Sequence, residues 1–259
     1  MSRLPLLPDF PRPLLFAHRG VSSVAPENTR AAFALARQLG VPGVELDVHR
    51  CASGELVVTH DYSTKRVTGT ELEIESTPWE RLRNLDAGSW KGPEYKGERL
   101  PLLADLLEEF GADLYWDIEI KSRVHADAEL EEALARLLDS PRLAGRIAVS
   151  SFNPFVLGRF KALSPKIPTA IIWCRSKEQP WYLRHGEGRW IAGTDFLKPD
   201  KALVKTLPLP GGRERSAWTV DEPAEARRLL SLGCSGIISN RPHELGIQTL
   251  QKTATDPTQ

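Results

Sequence analysis

The stretch Val44-Glu-Leu-Asp-Val-His-Arg-Cys-Ala-Ser-Gly-Glu-Leu-Val-Val-Thr-His-Asp61 decides the fold of this chain. Two apolar runs, residues 44–48 and 56–59, are separated by Ala52-Ser-Gly-Glu55, which is typical of a tight turn. A parallel crossover needs about a dozen residues, so the two runs predict an antiparallel hairpin. With Ser53 and Gly54 at the turn positions, this hairpin places Asp47 opposite His60.

Short apolar runs of strand character recur on both sides of this hairpin, and helical patterns separate most neighbouring runs. Such alternation is typical of parallel βαβ units. The nine predicted strands are Leu14 to Ala17, Val44 to Val48, Leu56 to Thr59, Leu114 to Ile120, Arg146 to Ser150, Thr169 to Trp173, Trp190 to Gly193, Ser216 to Val220 and Gly236 to Ser239. The predicted helices are Thr29 to Leu39, Leu102 to Phe110, Ala126 to Leu138, Pro154 to Leu163, Lys201 to Leu207 and Pro223 to Leu232. Nine strands are one more than a (β/α)8 barrel needs, and the hairpin accounts for the additional one.

Length and composition narrow the class of protein. The 259 residues fit one (β/α)8 barrel or two small domains. Lysine plus arginine and aspartate plus glutamate number 34 each, so the chain has no overall charge to attract nucleic acid or an anionic membrane. The chain contains no run of about 18 apolar residues, so no membrane span is predicted.

The cysteines and the N-terminus bear on location. The three cysteines are widely spaced and odd in number, which favours reduced thiols, and prolines interrupt the apolar N-terminus, so we expect a cytoplasmic protein.

The organisation along the chain predicts a single barrel domain over residues 13–246, with tails at 1–12 and 247–259. Residues 62–101 are rich in polar residues, glycine and tryptophan and contain no clear strand. We expect them to form a small helical insertion over the barrel mouth, directly after His60-Asp61. The tail after Gly246 is expected to fray.

Charged residues and histidines stand at the ends of the predicted strands, where the functional positions of a barrel lie. The candidates are His18, Arg19, Glu45, Asp47, His60, Glu119 and Lys121. Strand side chains alternate between faces, so Glu45 and Asp47 point the same way, as do Glu119 and Lys121.

These carboxylates, on two strands that converge at one mouth, suit a hard divalent cation, Mg2+ or Ca2+. Arg19 and Lys121 would then flank an anion. The alternative is a structural ion-pair network in which Arg19 and Lys121 neutralise Glu45 and Glu119.

Other residues have a structural interpretation beside the functional one. His18 after an apolar strand could be a structural histidine, but Gly20 allows a sharp turn that leaves His18 and Arg19 exposed to the mouth. Asn28 or Thr29 is a plausible helix cap. Trp218 either forms a wall for a ligand or fills the barrel.

The chain resembles the glycerophosphodiester phosphodiesterases over nearly its whole length. The resemblance rests on Ala17-His-Arg-Gly20, Pro26-Glu-Asn-Thr29, Val44-Glu-Leu-Asp47, His60-Asp61, Asp117-Ile-Glu-Ile-Lys121, Ser150-Ser-Phe152, Trp218-Thr-Val220 and Gly236-Ile-Ile238. It implies a (β/α)8 TIM barrel of the α/β class that hydrolyses small glycerophosphodiesters to glycerol 3-phosphate and an alcohol. It further implies a cation, Mg2+ or Ca2+, on Glu45, Asp47 and Glu119, an acid and base pair formed by His18 and His60, and phosphoryl contacts from Arg19 and Lys121.

Three positions depart from the commonest family pattern. They are Asp221 after Trp-Thr-Val, Ser239-Asn240 before Pro242, and Lys198-Pro199 where His-Pro is frequent. These departures bear on recognition of the alcohol.

Two other functions stay open: a lysophospholipase D type of hydrolysis with the same residues, and a non-catalytic binding module that kept the barrel. Oligomeric state is left undetermined.

Overall fold

The strands of this protein form a nearly closed barrel, in a computed structural model that describes residues 3–122, 128–177, 179–206 and 213–247. Within these residues the strands are β1 (Leu14–His18), β2 (Gly43–Arg50), β3 (Leu56–Val58), β4 (Tyr115–Ile120), β5 (Ile147–Ser151), β6 (Thr169–Trp173), β7 (Phe196–Pro199), β8 (Ser216–Ala217) and β9 (Gly236–Ser239). Eight of them are parallel, in the order β7-β6-β5-β4-β2-β1-β9-β8. Parallel bridges from Leu197 to Arg215 and from Asp200 to Trp218 join β7 to β8. The predicted (β/α)8 barrel is confirmed.

Helices follow most of the strands. Those in the described residues are α1 (Arg30–Gln38), α2 (Lys65–Thr68), α3 (Trp79–Leu82), α4 (Leu103–Phe110), α5 (Glu129–Leu138), α6 (Pro154–Leu163), α7 (Gly188–Ile191) and α8 (Pro223–Ser231). Thr29 is the cap of α1, because its side chain accepts a hydrogen bond from the backbone N–H of Ala32. Across the described ranges, no helix combines the length and apolar character that a membrane crossing requires.

One predicted strand is wrong. Residues 190–193 were expected to form it, but Trp190 and Ile191 belong to α7 and are 64% and 48% exposed. The strand is instead Phe196–Pro199, whose residues are all buried. A short apolar run fits a helix face as well as a strand, and here only packing decides. The helix predicted over 201–207 is a 3-10 helix, Lys201–Thr206, and the predicted start of α5 at Ala126 lies outside the described residues.

The hairpin of β2 and β3 is confirmed, but its predicted register, with Asp47 opposite His60, is wrong. Its loop holds three residues, 52–54, with Gly54 in a left-handed conformation at a φ of 107°. The extra loop residue shifts the pairing by one position. The backbone N–H of Thr59 therefore donates to the carbonyl of Asp47, at 3.0 Å.

The insertion forms α2, α3 and two single 3-10 turns, Ile74–Ser76 and Pro93–Tyr95. Short helices of this kind are marginal alone and depend on tertiary packing. They bury an apolar cluster of their own against the hairpin, formed by Cys51, Val57, Val67, Ile74, Leu82, Ala87 and Leu100.

Strand alternation divides the barrel into an outer and an inner layer. Leu15 and Ala17 of β1 pack in the large cluster under the helices, whereas Leu14 and Phe16 belong to a second cluster inside the barrel. The inner cluster occupies the N-terminal ends of the strands. It leaves the C-terminal ends to polar side chains.

The N-terminal segment completes this inner cluster. Leu6, Leu7 and Phe10 are each at most 2% exposed, and the ring of Phe10 lies 5.1 Å from that of Phe16. A Cβ on Gly43 would lie 2.7 Å from the Phe16 ring and 2.8 Å from the Phe10 ring, so glycine is needed there. The segment expected to be a tail over 1–12 therefore contributes core residues.

Replacing Phe10 with alanine should lower the free energy of unfolding by about 3–5 kcal/mol, because it opens a cavity at the base of the barrel. Chemical denaturation measures this change. Phe155→Ala, which removes a ring that is 47% exposed, is the matched control and should cost at most about 0.5 kcal/mol. Equal effects of the two substitutions would show that the segment does not seal the core.

Candidate active site

A cavity of about 610 Å³ lies at the C-terminal ends of the barrel strands. Every predicted site residue except Asp47 lines it. Its acidic, basic and histidine lining residues are His18, Arg19, Glu45, His60, Asp61, Glu119, Lys121 and Lys198. A second part of the lining is apolar or aromatic and includes Ile120, Phe152, Pro154, Phe155, Ile172, Pro180, Tyr182, Leu183, Trp218 and Ile238. The cavity thus joins a charged region to an apolar one.

Three carboxylates converge beneath the cavity. One oxygen from each of Glu45, Asp47 and Glu119 lies within 4.8 Å of the others, and all three residues are buried. Burial raises the pKa of Glu45 well above its ordinary value, and the negative charge of Asp47 adds to this effect. The sequence prediction that these side chains share one site is consistent with this geometry.

Two cations neutralise part of this charge. Lys121 Nζ lies 3.0 Å from Asp47 Oδ1 and 2.5 Å from Glu119 Oε1. Arg19 Nε lies 3.3 Å from Asp47 Oδ2, and its Nη1 lies 2.8 Å from Glu27 Oε1. Burial alone would raise the pKa of Asp47, but Lys121 and Arg19 outweigh burial and hold that pKa well below its usual range. The ion-pair network considered from the sequence exists, but it is centred on Asp47.

Glu45 is not neutralised in the same way. It accepts a hydrogen bond from the backbone N–H of Arg19 at 3.2 Å, and His18 Nε2 lies 3.9 Å from its carboxylate. Among the residues that the structure describes, no lysine or arginine side chain forms an ion pair with Glu45. Three clustered carboxylates, one of them without a cationic partner, fit a hard divalent cation.

His18 lies at the end of β1, with its ring nitrogens in different environments. Its Nδ1 donates to Asn240 Oδ1 at 2.7 Å, and Nε2 is directed to the side of Glu45. Burial lowers the pKa of His18 to about 4, and the positive charge of Arg19 adds to this effect. The ring is therefore neutral near neutral pH, and Nε2 can accept a proton.

His60 lies just past β3, where the insertion orients it. Its Nδ1 donates to Asp61 Oδ1 at 2.7 Å, and Arg66 Nε of α2 donates to Asp61 Oδ2 at 2.6 Å. Arg66 also donates to both carboxylate oxygens of Glu27, at 2.9 and 2.8 Å. His49 Nε2 donates to the His60 carbonyl at 3.3 Å. The carboxylate bonded to His60 is therefore that of Asp61, and not that of Asp47, which the predicted register placed opposite His60.

The backbone around Arg19 adopts conformations that the sequence did not predict. Arg19 and Asn28 both have a φ of 56°, in the left-handed region that costs side-chain-bearing residues free energy. The N–H of Asn28 donates to the Arg19 carbonyl, and its Nδ2 donates to Asp47 Oδ2 at 2.8 Å. Gly20 follows with a φ of 79°, and a Cβ there would lie 2.6 Å from Ala32. Of the two residues proposed as the helix cap, Thr29 is the cap, and Asn28 instead orients Asp47.

The candidate list from the sequence left out Lys198, which lies inside the barrel. Its Nζ lies 2.8 Å from Asp117 Oδ2 and 2.9 Å from Ser150 Oγ. Burial alone would lower the pKa of Lys198, but the charges of Asp117 and its neighbours raise it. Asp117 stands two residues before Glu119, so strand alternation indicates that both side chains lie on the same face of β4. For Lys198 the sequence signal was its place where the family frequently has histidine, but its strand was predicted elsewhere.

Trp218 is part of the cavity wall. Its Nε1 donates to the Lys198 carbonyl at 2.9 Å, and its ring meets that of Phe152 edge to face at 5.6 Å between centroids. Its side chain also packs against the inner apolar cluster, so Trp218 both lines the cavity and helps to fill the barrel.

The departures at 221 and 240 both fall beside His18. Asn240 Nδ2 donates to Asp221 Oδ2 at 2.7 Å, and Asn240 Oδ1 accepts from His18. These positions were expected to bear on recognition of the alcohol, but Asn240 contacts the candidate catalytic His18, and Asp221 contacts Asn240.

Comparison with known proteins agrees with this geometry. The model of the glycerophosphoryl diester phosphodiesterase family matches residues 18–244. A glycerophosphodiester phosphodiesterase of Caldanaerobacter subterraneus is 33% identical over 233 residues, 90% of this chain and 96% of the relative. One from Bacillus subtilis is 28% identical over 92% of this chain and 86% of the relative.

A solved structure agrees as well. A phosphodiesterase of Oleispira antarctica, in complex with its product sn-glycerol-3-phosphate, has a TM-score of 0.80 and 29% identity over 92% of this chain and 97% of that one. The family match covers all of the candidate residues, from His18 of β1 to Trp218 after β8. This chain belongs to the glycerophosphoryl diester phosphodiesterase family.

Proposed function

We propose that this enzyme hydrolyses small glycerophosphodiesters to glycerol 3-phosphate and an alcohol, with one divalent cation, Mg2+ or Ca2+, held by Glu45, Asp47 and Glu119. The convergence of these buried carboxylates beside two histidines at one cavity supports the proposal. The Oleispira relative, whose product is sn-glycerol-3-phosphate, supports the choice of product. The family membership argues against a non-catalytic binding module.

The chain's own residues supply binding and proton transfer. When bound, the cation supplies positive charge that offsets the charge of the phosphoryl group. Arg19 and Lys121, already directed to the carboxylates, contact the phosphoryl oxygens. Nε2 of the neutral His18 accepts the proton of the attacking hydroxyl, and His60, which must enter the step with both ring nitrogens protonated, donates its Nε2 proton to the departing alkoxide. The glycerol 2-hydroxyl is the expected nucleophile, giving a cyclic phosphate that water then opens.

A second candidate is the hydrolysis of lysophospholipids. Phe155 and Tyr182 of the cavity wall are 47% and 43% exposed, and Trp181, whose ring contacts that of Tyr182, is 77% exposed. An apolar wall that continues to an exposed aromatic surface favours a substrate whose glycerol carries an acyl chain. Rates on glycerophosphocholine and on a lysophosphatidylcholine, measured by coupled detection of glycerol 3-phosphate and of the released choline, separate the two candidates.

The three cysteines support a cytoplasmic location for this enzyme. Cys51, Cys174 and Cys234 are all free, and Cys51 and Cys234 are buried. Reduced cysteines are the rule in reducing compartments.

Loss of either histidine should lower kcat on glycerophosphocholine by about 100 to 10,000-fold, because each transfers a proton in the reaction. The variants are His18→Ala and His60→Ala, measured by glycerol 3-phosphate release, with circular dichroism to confirm folding. His185→Ala is the matched control, since that side chain is 62% exposed and does not line the cavity. Full activity of either site variant would refute its assigned role. Absence of metal-stimulated hydrolysis by the unmodified chain would favour the binding module.

Removal of the cation with a chelator should abolish hydrolysis, and adding Mg2+ or Ca2+ should restore it. Glu45→Gln should raise the cation concentration needed for half-maximal activity by about tenfold or more, because it removes a charged ligand. Titration calorimetry with the cation alone compares the cation affinity of the unmodified chain and of Glu45→Gln in the absence of substrate. Glu80→Gln, at a side chain that is 77% exposed, is the control. Equal cation affinity of the two variants would contradict the proposed site.

A further inference from the structure

Asp221 and Asn240 follow neighbouring strands and meet at the end of β1. Strand β9 pairs in parallel with β8 on one side and with β1 on the other, with Ala17 next to Ser239. Because the carboxyl ends of parallel strands share one edge, the residues after β8 and β9 lie beside His18. The three side chains form one hydrogen-bonded chain, from Asp221 through Asn240 to His18.

The carboxylate fixes which way the amide of Asn240 points. Asp221 Oδ2 accepts from Asn240 Nδ2 at 2.7 Å, and Asp221 Oδ1 accepts from the backbone N–H of Asn240 at 2.8 Å and from Ser239 Oγ at 3.0 Å. An ionised carboxylate has no hydrogen to donate, so only the nitrogen side of the amide can face it. A rotated amide would set its oxygen against this negative charge. The oxygen of Asn240 therefore faces the other way.

The amide in turn fixes the tautomer of His18. Asn240 Oδ1 accepts from His18 Nδ1 at 2.7 Å and from Ser22 Oγ at 2.9 Å. An amide oxygen only accepts hydrogen bonds, so the hydrogen of this contact belongs to Nδ1 of His18. In a neutral imidazole the other nitrogen, Nε2, then carries a lone pair. Nε2 is the nitrogen on the side of Glu45, at the cavity.

We propose that Asp221 is a positioning residue: by orienting the amide of Asn240 it holds His18 in the tautomer with hydrogen on Nδ1 and an unprotonated Nε2 at the cavity. Asp221 itself does not line the cavity, and its hydrogen bond in this hydrogen-bonded chain is to Asn240 and not to His18. The tautomer follows from the hydrogen bonds alone. The consequence for turnover rests on the proposed function, in which Nε2 accepts a proton.

The test compares a single substitution with an exchange of the two side chains. Asp221→Asn keeps the shape but replaces the carboxylate with an amide that can donate or accept, so Asn240 is free to rotate. The combined variant Asp221→Asn with Asn240→Asp places the carboxylate next to His18, where it accepts from Nδ1, while the amide at 221 donates to it. The single variant should mix the tautomers, and the exchange should restore one.

Two measurements on the full chain report the tautomer of His18 and its effect on turnover. Long-range 15N–1H correlation spectra of 15N-histidine-labelled protein near neutral pH report which ring nitrogen carries hydrogen, with His18 assigned by its loss in His18→Asn. Steady-state kinetics on glycerophosphocholine should show kcat lower by about 10- to 100-fold in Asp221→Asn with KM unchanged, and recovery in the exchange variant. Asp200→Asn is the control: Asp200 follows β7, and its carboxylate accepts from the N–H of Ala202.

The outcomes are distinct. Hydrogen on Nε2 of His18 in the unmodified chain overturns the inference, as does a pure Nδ1–H tautomer in Asp221→Asn. A loss of thermal stability in Asp221→Asn without a tautomer change assigns Asp221 a purely structural part, and also overturns it. A tautomer change with full activity retained upholds the inference and refutes instead the proposed role of His18.

Discussion

The burial of several carboxylates in one small volume is the constraint on which the rest of the site depends. An ionised carboxylate without a partner is strongly unfavourable inside a protein, so Asp47 and Glu119 require the cations beside them. Lys121, Arg19 and the amide of Asn28 meet this requirement for Asp47. Glu45 forms no ion pair with a lysine or arginine of the described residues, and burial together with the charge of Asp47 raises its pKa. The ion-pair network and the proposed cation site therefore use the same group of carboxylates.

The barrel makes this arrangement possible by separating its interior into two layers. Apolar side chains fill the lower layer, and the N-terminal segment closes it with Phe10. The upper layer can be polar because the hydrophobic stabilisation comes from two other places. One is the lower layer inside the barrel, and the other is the packing of the helices on the outside of the strands. The close approach of Phe10 and Phe16 to Gly43 shows how tightly the lower layer is packed.

Both candidate histidines are oriented by a hydrogen bond from Nδ1, and the two acceptors come from different parts of the chain. Each engages Nδ1 with a side-chain oxygen, Asn240 for His18 and Asp61 for His60. In each neutral ring this leaves Nε2 as the basic nitrogen. The insertion reaches His60 through Arg66, which also contacts Glu27, the partner of Arg19. The insertion and the barrel are therefore connected at the site by charge as well as by packing.

The sequence by itself determined the alternation of strands and helices, the hairpin, and the placement of Glu45 and Asp47 on one face of β2, because these features follow from side-chain periodicity and local turn chemistry. Tertiary structure alone decided the hairpin register, which depends on one loop residue, and the true position of β7, where burial distinguished Phe196 from Trp190. It also decided the partners of the site residues. Asn28, Lys198 and Asp221 act across strands, and no local pattern encodes a contact between residues far apart in the chain.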